Sequence, residues 1–380
     1  MAGPLTGTRL VELAAIGPAP YGVMLLADLG ADVIRVDRMT GADGGQTPEA
    51  AMVGVSRNRR SVAVDLKRPD GVEVVRTLAR DADVFVEGFR PGVAERLGLG
   101  PDVLRGDRPS LVYARMTGWG QDGPLAARAG HDLDYAALVG ALHTIGRAGE
   151  PPPPPVNYLA DLGGGGTFLA IGVLAALLER ASSGQGQVVD AAMIDGTASM
   201  TAFLRGLLAT GAWSTERGTN LLDGGAPFYE TYRCADGRYV AVGALEPAFY
   251  AELCLGLGLD PERWPQHDRA AWPQLRREFT DRFATRTRDE WAERFEGTDA
   301  CVAPVLDLEE APGHPHHVAR GTFERSAGTD QPAPAPRFSR TPGAVDRPPA
   351  AAGEHTDEVL TDAGYDPSAI ARLRSSGAVG

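Results

Sequence analysis

Cysteine is scarce in this 380-residue chain, with three widely spaced residues, Cys234, Cys254 and Cys301. That spacing fits neither a disulfide framework nor a zinc site, so no structural bridge or bound metal is expected and a reducing, cytoplasmic setting is the simplest. Long apolar runs are also missing. The longest, residues 169–178, is too short to cross a bilayer and predicts a buried helix. Residues 1–13 lack a basic segment followed by an apolar one, so no secretory signal is expected. Positive charge is in deficit as well. A net charge of -13 argues against nucleic acid or an anionic membrane as the main partner. Lysine is nearly absent: Lys67 stands alone among arginines, either by chance or because a specific contact keeps it.

What is present describes a soluble enzyme. Hydrophobic residues make up 43% and charged residues 23%, and 380 residues exceed what one compact core holds. The acidity is unevenly spread. The first hundred residues hold 12 Lys and Arg against 13 Asp and Glu, so a polyanionic ligand would bind there. Residues 9–14, 19–29 and 31–36 read as strand, helix and strand, a βαβ unit that predicts a parallel sheet. The turn Gly17-Pro18-Ala19-Pro20-Tyr21-Gly22 occupies the place of a dinucleotide fingerprint, but prolines stand where backbone would approach a pyrophosphate. Asp37, which ends the second strand, therefore reads as a solvated strand end. Further strands are expected at 83–86, 111–116 and 187–192, and buried helices at 133–145 and 168–178. Five prolines, 151–155, form a stiff spacer between those helices and would help fix one against the other. After about residue 210 a hairpin around Ala235-Asp236-Gly237 and helices at 247–256, 272–284 and 289–295 suggest a second, smaller α+β domain. His314, His316 and His317 lie in a proline-bearing stretch without acid or cysteine ligand spacing, so no metal site is expected.

Two short segments carry the chemistry, Gly130-His131-Asp132 and Asn157-Tyr158-Leu159-Ala160-Asp161-Leu162-Gly163. An imidazole and a carboxyl facing one another can take a proton from one face of a carbon and return one to the other. If a helix begins at His131, its first N–H groups are unpaired and carry the positive end of the dipole, so the N–H of Asp132 could receive an enolate oxygen. Taken alone, His131 could equally be a buried histidine bonded to a carbonyl, and Asp161 an ordinary N-cap. The run Gly163 to Gly166 is a poor start for a helix, and close approach of backbone to a ligand would account for it.

The whole series of motifs is more specific than any member. Val11-Glu12-Leu13-Ala14, Asp28-Leu29-Gly30-Ala31-Asp32-Val33-Ile34, Val64-Asp65-Leu66-Lys67 and Glu87-Gly88-Phe89-Arg90-Pro91-Gly92 come first. Glu95-Arg96-Leu97-Gly98, Arg115-Met116-Thr117-Gly118-Trp119-Gly120, Gly130-His131-Asp132 and Asp161 follow. Leu222-Asp223-Gly224-Gly225-Ala226-Pro227, Gly353-Glu354-His355-Thr356 and Gly364-Tyr365-Asp366 complete it. In this order they resemble the family III CoA-transferases (the CaiB/BaiF fold family), and within it the α-methylacyl-CoA racemases.

The resemblance implies an α/β fold with a Rossmann-like large domain at 1–191, completed by a C-terminal return at 335–380. A small α+β domain at 222–304 is joined to it by linkers at 192–221 and 305–334, and two chains interlock as a homodimer. It implies His131 and Asp161 as the two acid/bases, with Asp132 beside them. It also implies Glu246 from the other subunit as the partner that orients His131, although Glu246 reads equally well as a helix-start glutamate before a proline. For CoA it implies phosphate contacts from Arg38, Arg57, Lys67, Arg90 and Arg96. Adenine would lie along Val64, Asp65, Leu66, Lys67, Gly88, Phe89 and Arg90, with Gly130, Leu133, Asp134 and Tyr135 also lining the ligand. The expected activity is inversion of the 2-methyl stereocentre of branched acyl-CoA thioesters by 1,1-proton transfer through an enolate, with no cofactor beyond the CoA of the substrate. The alternative is a family III CoA-transferase in which Asp161 attacks the thioester. His131 separates the two, because the transferases lack a histidine there. Met116, Met193 and Met200 offer pliable apolar surface for an acyl chain, or simply core packing.

Overall fold

The computed structural model describes residues 3–39, 53–326 and 328–380. The chain forms two compact units. The first gathers Met1–Val139, Pro155–Met200 and Ala319–Gly380; the second gathers Gly140–Pro154 and Thr201–Val318.

The first unit is built on six parallel strands: β1 (Arg9–Leu13), β2 (Asp32–Asp37), β3 (Arg59–Ala63), β4 (Val84–Glu87), β5 (Val112–Thr117) and β6 (Val188–Ala192). They lie in the order β3-β2-β1-β4-β5-β6. Alternate side chains pass to opposite faces, as the two-residue period of a strand requires. Leu10, Val33, Val84, Val86, Val112 and Ala114 meet the helices Pro18–Asp28 and Phe168–Ser183 through Val23, Leu26, Leu169 and Val173. On the other face Val11, Leu13, Ile34, Val36, Phe85 and Tyr113 meet Val74, Val75 and Leu78 of the helix Pro69–Arg80. With both faces covered, β3, β4 and β5 are buried along their whole lengths, as a parallel sheet demands.

The C-terminal return completes that second layer. Val359, Leu360, Ile370 and Val379 join the same core, and Gly380 N–H donates to Ala63 O at 3.0 Å. Arg60 of β3 reaches Asp32 at 2.9 Å, Glu358 at 3.1 Å and Asp362 at 2.6 Å, tying the helix Thr356–Asp362 to the sheet edge. β3 escapes the sequence reading because its first two residues are arginines, and buried arginine is tolerated only when paired. Asp37 is not a solvated strand end. It accepts from Arg35 Nε at 2.8 Å and from Ser61 Oγ at 2.5 Å. Residues 192–221, read above as a linker, contain the helices Met193–Met200 and Ala202–Ala209.

The second unit has a three-stranded antiparallel sheet of β7 (Tyr229–Arg233), β8 (Tyr239–Gly243) and β9 (Val302–Pro304). Gly237, at φ +81, makes the expected hairpin turn. The helices Pro247–Gly256, Trp272–Phe283 and Arg288–Phe295 pack on an aromatic core of Phe228, Tyr250, Trp272, Phe279, Phe283 and Trp291. Its buried polar tips are satisfied: Trp291 Nε1 donates to Phe283 O at 2.9 Å and Tyr232 Oη to Pro227 O at 2.6 Å.

Candidate active site

In the strand order β3-β2-β1-β4-β5-β6 the chain leaves the C-terminal ends of β1 and β4 in opposite directions, which opens a crevice between their loops. A cleft of about 280 Å³ lies there. Its walls come from Ala15, Ile16 and Pro18 after β1, Gly88 to Pro91 after β4, and Met116 to Trp119 at the end of β5. Gly130, His131, Tyr135 and Met193 close it.

Glu87 shapes the β4 side. Its carboxylate is buried, accepts Phe89 N–H at 2.7 Å and is held by Arg115 Nε at 3.1 Å. Burial pushes its pKa up; the Phe89 N–H and Arg115 oppose that. Neither Glu87 nor Arg115 stood out in the sequence as a site residue, although a lone acid ending an apolar strand was a usable signal.

The His131 side depends on close packing. A Cβ at Gly130 would lie 2.7 Å from Tyr135 Cε1 and 2.9 Å from Trp119 Cζ2, so only glycine fits between those rings. His131 is the N-cap of the helix Asp132–Val139. Its carbonyl accepts from Asp134 N–H at 2.9 Å and Tyr135 N–H at 3.2 Å, while the Asp134 carboxylate accepts His131 N–H at 3.0 Å. The imidazole is exposed at the cleft. Among the described residues the N–H groups of Asp132 and Leu133 have no acceptor, as the mouth of a helix leaves them. The helix stops at Val139 rather than running to 145, because Gly140 takes φ +88.

Asp161 does not cap a helix. It sits in the first turn of a π-helical segment, Tyr158–Thr167, in which Leu162 N–H bonds Asn157 O at 3.2 Å. Such wide turns often mark functional sites. The Asp161 carboxyl is half-buried beside the β1 loop, where a Cβ at Gly17 would lie 3.7 Å from Oδ2. Burial raises its pKa and the charge of Asp132 raises it further; the Asn157 side chain and His131 pull the other way. Tyr135 is pushed up to about 12 by burial and by the charges of Asp161 and Asp134, with Arg90 opposing.

Packing alone requires the glycines at 164 to 166. A Cβ at Gly164 would meet Thr197 Oγ1 at 2.3 Å, one at Gly165 would meet Pro18 Cβ at 2.9 Å, and one at Gly166 would meet Tyr21 Cδ1 at 2.6 Å. The backbone passes between two helices that a side chain would push apart. Of the five prolines, Pro151 to Pro154 fall in the second unit and Pro155 in the first. The direct link between Asp161 and the His131 helix is Asp132, whose Oδ1 accepts Ala160 N–H at 2.6 Å and Asp161 N–H at 2.8 Å.

Of the residues expected to hold CoA, Arg38, Lys67, Arg90 and Arg96 are exposed and follow β2, β3 and β4. Parallel pairing places those strand ends along one edge of the sheet. Val64, Asp65 and Leu66 lie at the end of β3, where Val64 is buried and Asp65 accepts Lys67 N–H at 3.0 Å. Gly88, Phe89, Gly130 and Tyr135 line the cleft, whereas Leu133 and Asp134 are exposed on the His131 helix. Arg57 must be corrected. It is 1% exposed and its guanidinium is taken by Asp28 at 2.6 Å and Pro332 O at 2.8 Å, which leaves it unable to face a phosphate. Glu246 belongs to the second unit, exposed at the N-cap of the helix Pro247–Gly256, and its side chain makes no capping bond. Among the described residues no three His, Cys, Asp or Glu side chains are grouped to hold a metal.

The sequence profile of CoA-transferase family III matches residues 5–356. The α-methylacyl-CoA racemase of Mus musculus is 49% identical over 375 residues, spanning 98% of this chain and 96% of its own length. That of Homo sapiens is 46% identical over the same length, with the same coverage. A crystal structure of a CaiB/BaiF family protein from Brucella suis superposes with a TM-score of 0.83 at 27% identity, covering 96% of this chain and 100% of that one.

Proposed function

The chain belongs to CoA-transferase family III, and from that premise we propose that it is an isomerase, a racemase that inverts the 2-methyl stereocentre of branched acyl-CoA thioesters. The observation that carries this reading is an exposed imidazole on the cleft with two unpaired helix N–H groups beside it, and a carboxyl of raised pKa on the neighbouring segment that Asp132 ties to the same helix. Near-full-length identity to proteins named α-methylacyl-CoA racemase supports it over the transferase alternative.

The α-proton of a thioester is a far weaker acid than imidazolium, and each pKa unit of mismatch costs about 1.4 kcal/mol. A base therefore needs help from whatever stabilises the enolate. The N–H of Asp132 at the positive end of its helix supplies a donor for the thioester oxygen, worth roughly 3–4 kcal/mol. His131 takes the proton from one face while Asp161, kept protonated more readily than an ordinary aspartate, gives one to the other; the reverse reaction exchanges the roles. Arg38, Lys67, Arg90 and Arg96 hold the CoA phosphates.

The working form is a homodimer, with Glu246 of the other subunit orienting His131. The support is an uncovered apolar face. Ile171, Leu174 and Leu178 of the helix Phe168–Ser183 are 53%, 37% and 75% exposed and share one side. Tyr158–Ser183 is long and apolar enough to cross a membrane, yet its opposite side lies in the core of the first unit, so a second copy is the cover we propose.

Incubation with a pure enantiomer of a 2-methylacyl-CoA in deuterium oxide tests the activity. Deuterium at C2 with loss of optical purity and no acceptor acid present is expected. CoA transfer to a free acid with the α-proton retained would establish the transferase instead.

A further inference from the structure

We infer that the side chain of Asp132, as distinct from its backbone N–H, is a positioning residue that locks Asp161 against the His131 helix and keeps Asp161 able to carry a proton. The inference rests on the two-base reading above.

Asp132 follows the N-cap of the His131 helix, yet its carboxylate does not turn back on that helix. It is 4% exposed and crosses to the neighbouring segment, where Oδ1 receives the N–H of Ala160 at 2.6 Å and of Asp161 at 2.8 Å. Those N–H groups belong to the first turn of the π-helical segment and would otherwise be orphaned. One carboxylate thus begins one catalytic element and caps the other. Short, charge-assisted bonds of this kind are about twice as strong as neutral ones. Because they grip the peptide N–H of Asp161 itself, the His131 backbone and the Asp161 backbone are separated by a single side chain, with no flexible loop between.

The second oxygen adds a further clue. Asp132 Oδ2 is buried without a hydrogen-bond partner among the described residues, which is costly for a group serving stability alone. A neutral acceptor such as asparagine could receive the same two N–H groups. What the aspartate adds is charge, set beside a carboxyl that must be protonated for half of each catalytic cycle. The groups that act on Asp161 are Asp132, His131 and the Asn157 side chain, and Asp161 in turn acts on Tyr135. The helices Pro18–Asp28 and Met193–Met200 meet the segment through Pro18, Tyr21, Gly22, Met193, Gly196, Thr197 and Met200, none of them a carboxylate or a cation. Asp195 of the latter helix acts on Asp190. Asp132 is therefore the negative group that raises Asp161.

The test compares Asp132→Ala and Asp132→Asn. In Asp132→Ala, deuterium wash-in from the enantiomer deprotonated by Asp161 should fall at least about tenfold, the equivalent of 1.4 kcal/mol in the barrier. Wash-in from the enantiomer deprotonated by His131 should be much less affected, with KM nearly unchanged. Asp132→Asn should restore the wash-in, but with a kcat/KM profile moved to lower pH. Equal loss from both enantiomers, or an asparagine variant with the wild-type pH profile, would overturn the inference. A measurement independent of turnover guards against misfolding of the alanine variant and against failure of the racemase reading. In 13C-carboxyl NMR of aspartate-labelled protein, with the Asp161 resonance assigned from Asp161→Asn, Asp132→Asn should lower the Asp161 pKa. An unchanged value overturns the inference whatever the protein catalyses. Absence of any wash-in in the wild type would refute the racemase reading alone.

Discussion

At the scale of single residues, the two proposed acid/bases differ in how they are held. His131 is fixed by its backbone, as an N-cap with a reciprocal bond from Asp134, and its ring is free to face the cleft. His131→Ala should abolish racemisation in both directions with little change in acyl-CoA binding, measured by turnover and by calorimetric titration; turnover near the wild-type rate would end the two-base assignment. Arg96→Ala removes an exposed cation assigned above to a CoA phosphate, so it should raise KM more than it lowers kcat in steady-state assays. Asp161 makes a prediction about stability. Its folded pKa lies above the ordinary aspartate value, so between the two values the folded state binds more protons than the unfolded, and stability falls as pH rises through that window. Asp161→Asn lacks this penalty. Its melting temperature should gain on wild type as pH rises from below the ordinary aspartate range, and a constant difference across pH would contradict the assigned shift.

At the scale of elements, the site depends on three backbones packed closer than side chains allow. A Cβ at Gly196 would fall 1.8 Å from Gly164 O, while one at Gly106 meets nothing within 4 Å. Gly196→Ala should therefore cost roughly 1–3 kcal/mol in denaturant unfolding through overpacking. Gly106→Ala, within the helix Pro101–Asp107, should instead be neutral or gain up to about 1 kcal/mol. Equal effects would mean that the glycine run is not a packing device. The run was visible in the sequence; its purpose was not, because the partners that require it, Pro18, Tyr21, Met193 and Thr197, come from two other parts of the chain.

At the scale of the whole molecule, the exposed face of Ile171, Leu174 and Leu178 is where the proposed second copy would sit. Leu178→Glu places a charge on that face without touching the core. It should weaken self-association in sedimentation, and activity should fall in parallel if Glu246 of the partner orients His131. A monomer with full activity would confine the site to one chain.

How much of this was legible follows from the range of each interaction. The parallel sheet, the hairpin and the helix starting at Asp132 were readable because two-residue and 3.6-residue apolar periods, glycine turns and caps are local. His131 and Asp161 stood out in the sequence because each sits in a short contiguous motif. β3 was not, since its arginines make sense only beside Glu12, Asp32 and the helix Thr356–Asp362. Arg57 misled for the same reason. Its charge suggests a phosphate, but burial against Asp28 decides its role, and nothing in the sequence joins two residues 29 positions apart. Asp132 shows the division most clearly. The sequence by itself determined that it begins a helix beside His131. Only the tertiary structure decided that its carboxylate binds the backbone of Ala160 and Asp161, because those N–H groups come within its reach only where two segments distant in the chain meet.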